Sequence, residues 1–420
     1  MNLVSTLETK RSTHTQVARP LRLAVVTTAA PPSANGQARV LGQIIAPEMF
    51  APPIFLTDQM NIIEVDQAHN GRHFELSPPR FQFTTRRWGR LAAKLNHGGG
   101  LARSVTTRAH EIMRILQENQ VDAIIGCSGN PFDLPASYLA ARRLKIPFVA
   151  YLFDDPVYQW EGGAYRSLAR LSERLWSRGA AALIAPNEVL AREVKKRLPR
   201  HKIHIVRNPV DSNIVRAAVD VDQRPAERSS NDASLRRLLY TGSVYAAQAS
   251  SFRNLVAALD KLQGRFVIDI YTGQHGSDLV SKDLASPHVV VHPQISHATA
   301  IALQKTADVL FLPLAFDSPI PEVIRSSAPA KLGEYLASER PILVHAPADS
   351  FVTELIRDGE AGVVVDTPDP QRLAEALFRI AGDEALRKRV VANASVLARQ
   401  FSVERARDDF LAIMTSLAKR

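Results

Sequence analysis

At 420 residues, with 45% hydrophobic and 22% charged residues, the chain has the makeup of a globular protein of two ordinary domains, not of a disordered or fibrous one. Its single cysteine, Cys127, excludes a disulfide framework and a Cys-based metal site, and it fits a reducing compartment. The formal net charge of +10 favours an anionic partner: nucleic acid, a membrane surface or a phosphorylated substrate.

Residues 1–19 are polar, carry Lys10, Arg11 and Arg19 and have no apolar core. They read as a flexible arm and not as a secretion signal. No run approaches the roughly 18 apolar residues a membrane-spanning helix needs, so the expected location is cytoplasmic. The first strand is expected at Leu21–Thr27. The loop behind it, from Thr28 to Arg39, contains Gly36, which permits close backbone approach, and a helical pattern follows. It lacks the three-glycine spacing of a nicotinamide site.

Between Arg80 and Arg114 lie Arg86, Arg87, Arg90, Lys94, Arg103 and Arg108, opposed by Glu111 alone, with Trp88, Leu91 and Leu95 interleaved. That mixture suits an anionic membrane surface or acceptor. It equally suits an ordinary pair of basic helices. Further strands are expected at Val121–Ile125, Pro147–Phe153, Ala181–Ala185 and Lys202–Val206. Helices are expected at Leu134–Leu144, Ala164–Arg178 and Glu188–Leu198. Alternation of this kind builds a mostly parallel sheet covered on both faces. Asp154 and Asp155 close one predicted strand, and Asp154 is placed to meet an acceptor hydroxyl. Capping of the following segment explains it as well.

Residues 213–236 are rich in Asp, Arg and Ser and read as a linker. Alternation then resumes, with strands at Leu238–Tyr240, Phe266–Tyr271, Val289–His292, Val309–Pro313, Pro341–His345 and Gly362–Val365. The helices between them are expected at Phe252–Leu262, Ala298–Thr306, Lys331–Ala337, Phe351–Arg357 and Gln371–Ile380. Two more close the chain near Glu384–Arg399 and Val403–Leu417. The expected plan is an arm (1–19), a first Rossmann-like domain (20–212), a linker (213–236) and a second Rossmann-like domain (237–400). The last helix (401–420) packs back toward the first domain. Two doubly wound domains with their strand ends facing make one cleft, where open α/β sheets bind ligands.

The segment Ser326-Ser327-Ala328-Pro329-Ala330-Lys331 leads into Leu332–Ala337. Serine caps and proline at a first turn predict a helix start near Ser327–Ala330. Its free N–H groups and partial positive charge form a seat for phosphate. Lys331 adds a full charge there, and Glu334 shares its face. The twelve histidines are scattered, and Asp220-Val221-Asp222 lies in the linker and not at a strand end, so no metal site is expected.

From Pro329 to Asp366 the order Lys331, Glu334, Ala337, Pro341, Glu354, Asp358-Gly359 and Gly362 resembles the donor segment of retaining GT-B glycosyltransferases that use nucleoside-diphosphate sugars. Asn208-Pro209-Val210-Asp211 resembles the turn that ends that family's first domain. The resemblance implies a GT-B fold and transfer of a sugar with retention to an acceptor hydroxyl, that of a saccharide or lipid-linked acceptor in surface polysaccharide or glycolipid synthesis. It implies a cytoplasmic protein peripheral on the inner membrane face, with no cofactor beyond the donor. Lys331 would face the diphosphate and Glu334 the ribose. Gly36, Gly242, Ser243, Ser326 and Ser327 would border the donor. The chain departs from the pattern at Ser326, where many members carry a sugar-binding Glu; Glu322, four residues earlier, is a substitute. The basic residues usual after the second domain's first strand are also missing behind Gly242-Ser243, and the next is Arg253. Two other readings stay open: a sugar-nucleotide epimerase and a non-catalytic binding protein of the same fold. Nucleic-acid binding has no accompanying motif.

Overall fold

The computed structural model describes residues 20–33, 35–59, 71–78, 90–211, 215, 235–280 and 284–418. The first unit runs β1 (Arg22–Val26), α1 (Gly36–Ile44), β2 (Ala51–Thr57), β3 (Arg72–Glu75), α2 (Arg90–Gln117), β4 (Ala123–Cys127), α3 (Asp133–Leu144), β5 (Phe148–Tyr151), α4 (Gly163–Gly179), β6 (Ala182–Ala185), α5 (Glu188–Arg197) and β7 (Ile203–Ile205). The second runs β8 (Arg236–Thr241), α6 (Ala246–Lys261), β9 (Phe266–Tyr271), α7 (Gly276–Val280), β10 (Val289–His292), α8 (His297–Thr306), β11 (Val309–Pro313), α9 (Pro321–Ser326), α10 (Lys331–Ala337), β12 (Ile342–His345), α11 (Phe351–Asp358), β13 (Val363–Val365), α12 (Pro370–Gly382) and α13 (Glu384–Ala398). A short 3-10 turn, Arg399–Phe401, leads into α14 (Val403–Ala418).

The sheets are ordered β3-β2-β1-β4-β5-β6-β7 and β10-β9-β8-β11-β12-β13, and among the described residues their strands all pair parallel. Central strands such as β4 and β11 are buried at every residue, so they show as unbroken apolar runs. Winding reverses between β1 and β4 and between β8 and β11. The loops after these strands part there and leave a crevice at the carboxyl edge. The architecture is GT-B: two doubly wound Rossmann-like domains around one cleft.

Several contacts tie the domains together. Phe410, Ile413 and Met414 of α14 enter the first unit's core beside Leu41, Phe50 and Tyr151. Phe410 meets Phe50 edge to face at 5.7 Å, and Arg407 Nε donates to the Gln43 carbonyl at 2.7 Å. The second unit's chain thus ends inside the first. Asn187, fully buried, caps α5 through Oδ1 (2.8 Å from Leu190 N) and donates its Nδ2 to the Ser326 carbonyl at 2.9 Å. Asn208 Nδ2 donates to the Ala328 carbonyl at 2.9 Å. Two asparagines of the first unit therefore hold the loop that precedes α10.

Several expectations need correction or fall elsewhere. The helix at α10 starts where predicted, but no serine caps it. Its N-cap is Ala330, whereas Ser327 closes the preceding α9, a helix absent from the sequence reading. Strands β2 and β3 were also unforeseen. The arm 1–19, Asp220 and Asp222, and Arg80, Arg86, Arg87 and Trp88 lie outside the described residues, as does most of 213–236. Arg108 does not belong to a basic surface: it is 3% exposed, with Nε 2.6 Å from Asp133 and a terminal nitrogen 3.2 Å from Asp58. A buried guanidinium needs such partners, and pairing consumes the charge. Arg103 and Arg114 remain exposed on α2. No described helix is long and apolar enough to cross a membrane. Among the described residues no cluster of His, Cys, Asp and Glu could hold a metal ion.

Candidate active site

A cleft of about 880 Å3 opens between the units. Gly242, Ser243, Ser327, Lys331 and Glu334 line it from the second unit, and Gly36 from the first. α1 begins at this wall, with Asn35 Oδ1 accepting from Gln37 N at 2.8 Å. A methyl group added at Gly36 would stand 3.7 Å from the Ala330 Cβ, so the starts of α1 and α10 meet across the domain boundary. α8 also starts at the cleft, capped by Ser296 Oγ on Thr299 N at 3.2 Å.

Lys331 opens α10 and points its ammonium onto the Tyr240 ring, 3.7 Å from the centroid. The ring is fixed because Tyr240 Oη donates to the Ser243 carbonyl at 2.8 Å. Gly242 makes room at this turn. Its φ of +124° is one that side chains rarely adopt, and an added Cβ would sit 3.0 Å from Lys331 Nζ. Among the described residues Lys331 has no carboxylate within ion-pair distance. Its ammonium is pushed down to about 7, chiefly by burial, with the Glu334 carboxylate pulling it up and the Arg39 charge pulling it down. A desolvated cation resting only on an aromatic face is poised for an anion.

Glu334 is different, because its carboxylate is already engaged. Oε1 accepts from His297 Nε2 at 2.7 Å and Oε2 from Gln304 Nε2 at 3.1 Å, and Arg39 of α1 lies 3.6 Å from Oε1. Burial alone would raise its pKa. The His297 bond, the Gln304 bond and the Arg39 charge outweigh that and leave it below the usual carboxylate range. Glu334 is therefore an ionised acceptor held rigid at neutral pH, the state suited to gripping hydroxyls.

Three expected residues do not join this group. Ser326 is 3% exposed, and its Oγ donates back to the Glu322 carbonyl at 3.0 Å within α9. Buried and off the cleft wall, that hydroxyl is not presented to a ligand in the cleft. Ser326 is a backbone anchor, through its carbonyl and Asn187. Glu322 sits in the first turn of α9 and is not part of the cleft wall. Asp154 is exposed beyond β5 at the carboxyl edge of the first sheet, also outside the wall. Arg253 is spent on Asp317 at 2.9 Å. Arg39, Tyr240, His297 and Gln304 were missed by sequence reasoning. The capping Ser296 before His297 was the one local hint, since it marks a helix start at a strand's carboxyl end.

Residues 69–214 match the family Glycosyltransferase Family 4, and residues 236–383 match Glycosyl transferases group 1. The chain is a GT-B glycosyltransferase. Among curated relatives, a D-inositol 3-phosphate glycosyltransferase from a Nocardioides species is 28% identical over 47% of this chain and 46% of its own length, so the chain spans under half of that relative. An alpha-D-kanosaminyltransferase from Streptomyces kanamyceticus is 23% identical over 68% of this chain and 75% of its own. The Anabaena HepE structure with UDP-glucose superposes with a TM-score of 0.65 at 14% identity, covering 95% of this glycosyltransferase and 100% of that chain. That likeness carries the fold.

Proposed function

We propose that the enzyme moves a sugar from a nucleoside-diphosphate sugar to an acceptor hydroxyl with retained anomeric configuration. One observation carries the reading: Lys331, a desolvated cation with no carboxylate at ion-pair distance among the described residues, stands at the cleft beside a rigid, ionised Glu334. The relatives' names and the UDP-glucose in the HepE complex support it.

In this reading Lys331 and the first N–H groups of α10 face the diphosphate. As the bond from the anomeric carbon to phosphate oxygen breaks, the electron pair passes to that oxygen, and these groups stabilise the growing charge. The acceptor oxygen bonds the anomeric carbon on the face being vacated. Its proton goes to the departing phosphate oxygen, so no protein nucleophile takes part. Glu334 accepts from the ribose hydroxyls, and Gly273, Gln294 and Ile295 are left for the base. Asp154 is proposed to orient the acceptor from the first domain. Ser326 has no part in holding the sugar, and Glu322 reaches it only if α9 moves on binding.

The acceptor is proposed to be saccharide-bearing and lipid-linked, as in surface polysaccharide or glycolipid synthesis, with the protein resting on an anionic membrane. Besides Arg103 and Arg114, α4 exposes Leu171 (77%) and Leu175 (44%) between Arg170, Arg174 and Arg178. α4 packs beside α2 and α3. Leucines flanked by arginines suit such a surface.

A panel of nucleotide sugars, assayed for nucleoside-diphosphate release and for product anomeric configuration by NMR, tests the reaction. Release of one diphosphate with retention is expected. Inversion would overturn the mechanism, and no release from any donor would overturn the reading. Pelleting with phosphatidylserine vesicles, weakened when Leu171 and Leu175 become Ser, tests the surface. Binding to neutral vesicles alone would contradict it.

A further inference from the structure

Among the described residues the second domain puts one lysine or arginine, Lys331, on the cleft wall. Behind β8 stand Gly242 and Ser243, and the next basic residue, Arg253, is tied to Asp317 at 2.9 Å. Lys331 alone would face a diphosphate carrying at least two negative charges. Among the described residues one other lysine or arginine lines the wall, and it comes from the opposite domain. Arg39 of α1 lines the same cleft, with its side chain 37% exposed.

Arg39 is held loosely. Among the described residues its ion-pair partner is Glu334 Oε1 at 3.6 Å, longer than a good charged hydrogen bond. That oxygen already accepts from His297 at 2.7 Å. Arg39 Nε is buried with no hydrogen-bond partner. A guanidinium has five donors in a rigid fork, and a buried donor left unmade is costly. Arg39 and Lys331 also sit close enough for the charge of one to disfavour the other. Two mutually repelling cations with unmet bonding capacity at one wall make a site for a doubly charged oxyanion.

We infer that Arg39 is the second diphosphate-binding cation, so that the phosphate seat is assembled from both domains. The inference rests on the nucleotide-sugar reading. The closely set starts of α1 and α10, at Gly36 and Ala330, place the two cations on opposite lips. Arg39 trades its long contact with Glu334 for phosphate oxygens when donor binds, which leaves Glu334 to His297, Gln304 and the ribose. Donor binding then bridges the domains and holds the cleft in one geometry for the acceptor.

The test compares binding of UDP, GDP, ADP and dTDP, and of the matching nucleosides, to the full chain. The proteins are wild type, Arg39→Ala, Arg39→Lys and Arg253→Ala. For the diphosphate that binds wild type, Arg39→Ala weakens binding about 10- to 100-fold, the range of a lost charged hydrogen bond. Binding of its nucleoside stays within about twofold, Arg39→Lys recovers part of the loss as a point charge without the fork, and Arg253→Ala matches wild type. Equal loss for diphosphate and nucleoside would assign Arg39 a structural role and overturn the inference. So would unchanged diphosphate affinity in Arg39→Ala. Should Arg39→Ala fail to fold, the Lys variant decides: affinity equal to wild type at high salt and low salt alike overturns the inference. Absence of diphosphate binding to wild type itself would instead overturn the nucleotide-sugar reading.

Discussion

The two walls of the cleft are built by different means. The second domain contributes most of the lining, and its key groups are held by short contacts: Lys331 on Tyr240, Tyr240 on Ser243, Glu334 between His297 and Gln304. The first domain contributes Pro32, Ser33, Asn35, Gly36 and Arg39, and of these Arg39 alone carries charge. A wall that must recognise a constant group, the diphosphate and ribose, can be rigid. A wall that meets a varied acceptor is sparse. The sparse wall still reaches the rigid one through Arg39, Asn187 and Asn208.

The contrast breaks most sharply at Lys331. Lys331→Ala is expected to lower kcat/KM for sugar transfer by at least about 100-fold, the scale of losing a main electrostatic stabiliser. Steady-state kinetics measure it, and a loss under about tenfold would move the phosphate seat elsewhere. Next in size is Gly242→Ala. Its positive φ costs about 1–3 kcal/mol for a residue with a side chain. The added Cβ also presses on Lys331 Nζ at 3.0 Å. Thermal unfolding and diphosphate titration should therefore worsen together. Asn187→Ala removes a helix cap and the hold on the Ser326 carbonyl. About 1–2 kcal/mol of stability should go, with donor affinity falling more than for Asn208→Ala. Smallest on the donor side is Asp154→Asn. It should leave diphosphate binding unchanged while raising the KM for acceptor; an effect on diphosphate binding would contradict the division between the walls.

How much of this was legible follows from sequence distance. β9, β11 and α10 have the bounds that their apolar runs and periodicity predict, because buried parallel strands and a mostly buried helix write their burial into consecutive residues, and the edge strand β10 has its predicted bounds from its run of valines. β2 begins Ala51-Pro52-Pro53, and two prolines argue against a strand; they stand at its start, where the cost is least. β3, Arg72–Glu75, is a four-residue edge strand with no apolar alternation. Lys331 and Glu334 were visible because they sit three residues apart on one helix. Arg39 was not, since its partner lies in the other domain and no local pattern links them. Ser326 looked like a ligand from its register, yet its hydroxyl folds back on Glu322, a choice made by α9 that the serine alone does not reveal.

The account turns on Lys331 as the seat of the diphosphate. In the free protein its ammonium is held down at about 7, chiefly by burial. Binding an anion favours the charged form, so affinity should fall as pH rises above about 7, with a proton taken up on binding. The direct test is calorimetric titration of wild type and Lys331→Ala with the diphosphate that binds, in buffers of different ionisation enthalpy. The titrations are run about half a unit below neutrality and about 1.5 units above it. The account predicts tighter binding at the lower pH, proton uptake at the higher, and loss of both in Lys331→Ala. Binding that is independent of pH and survives Lys331→Ala would contradict it.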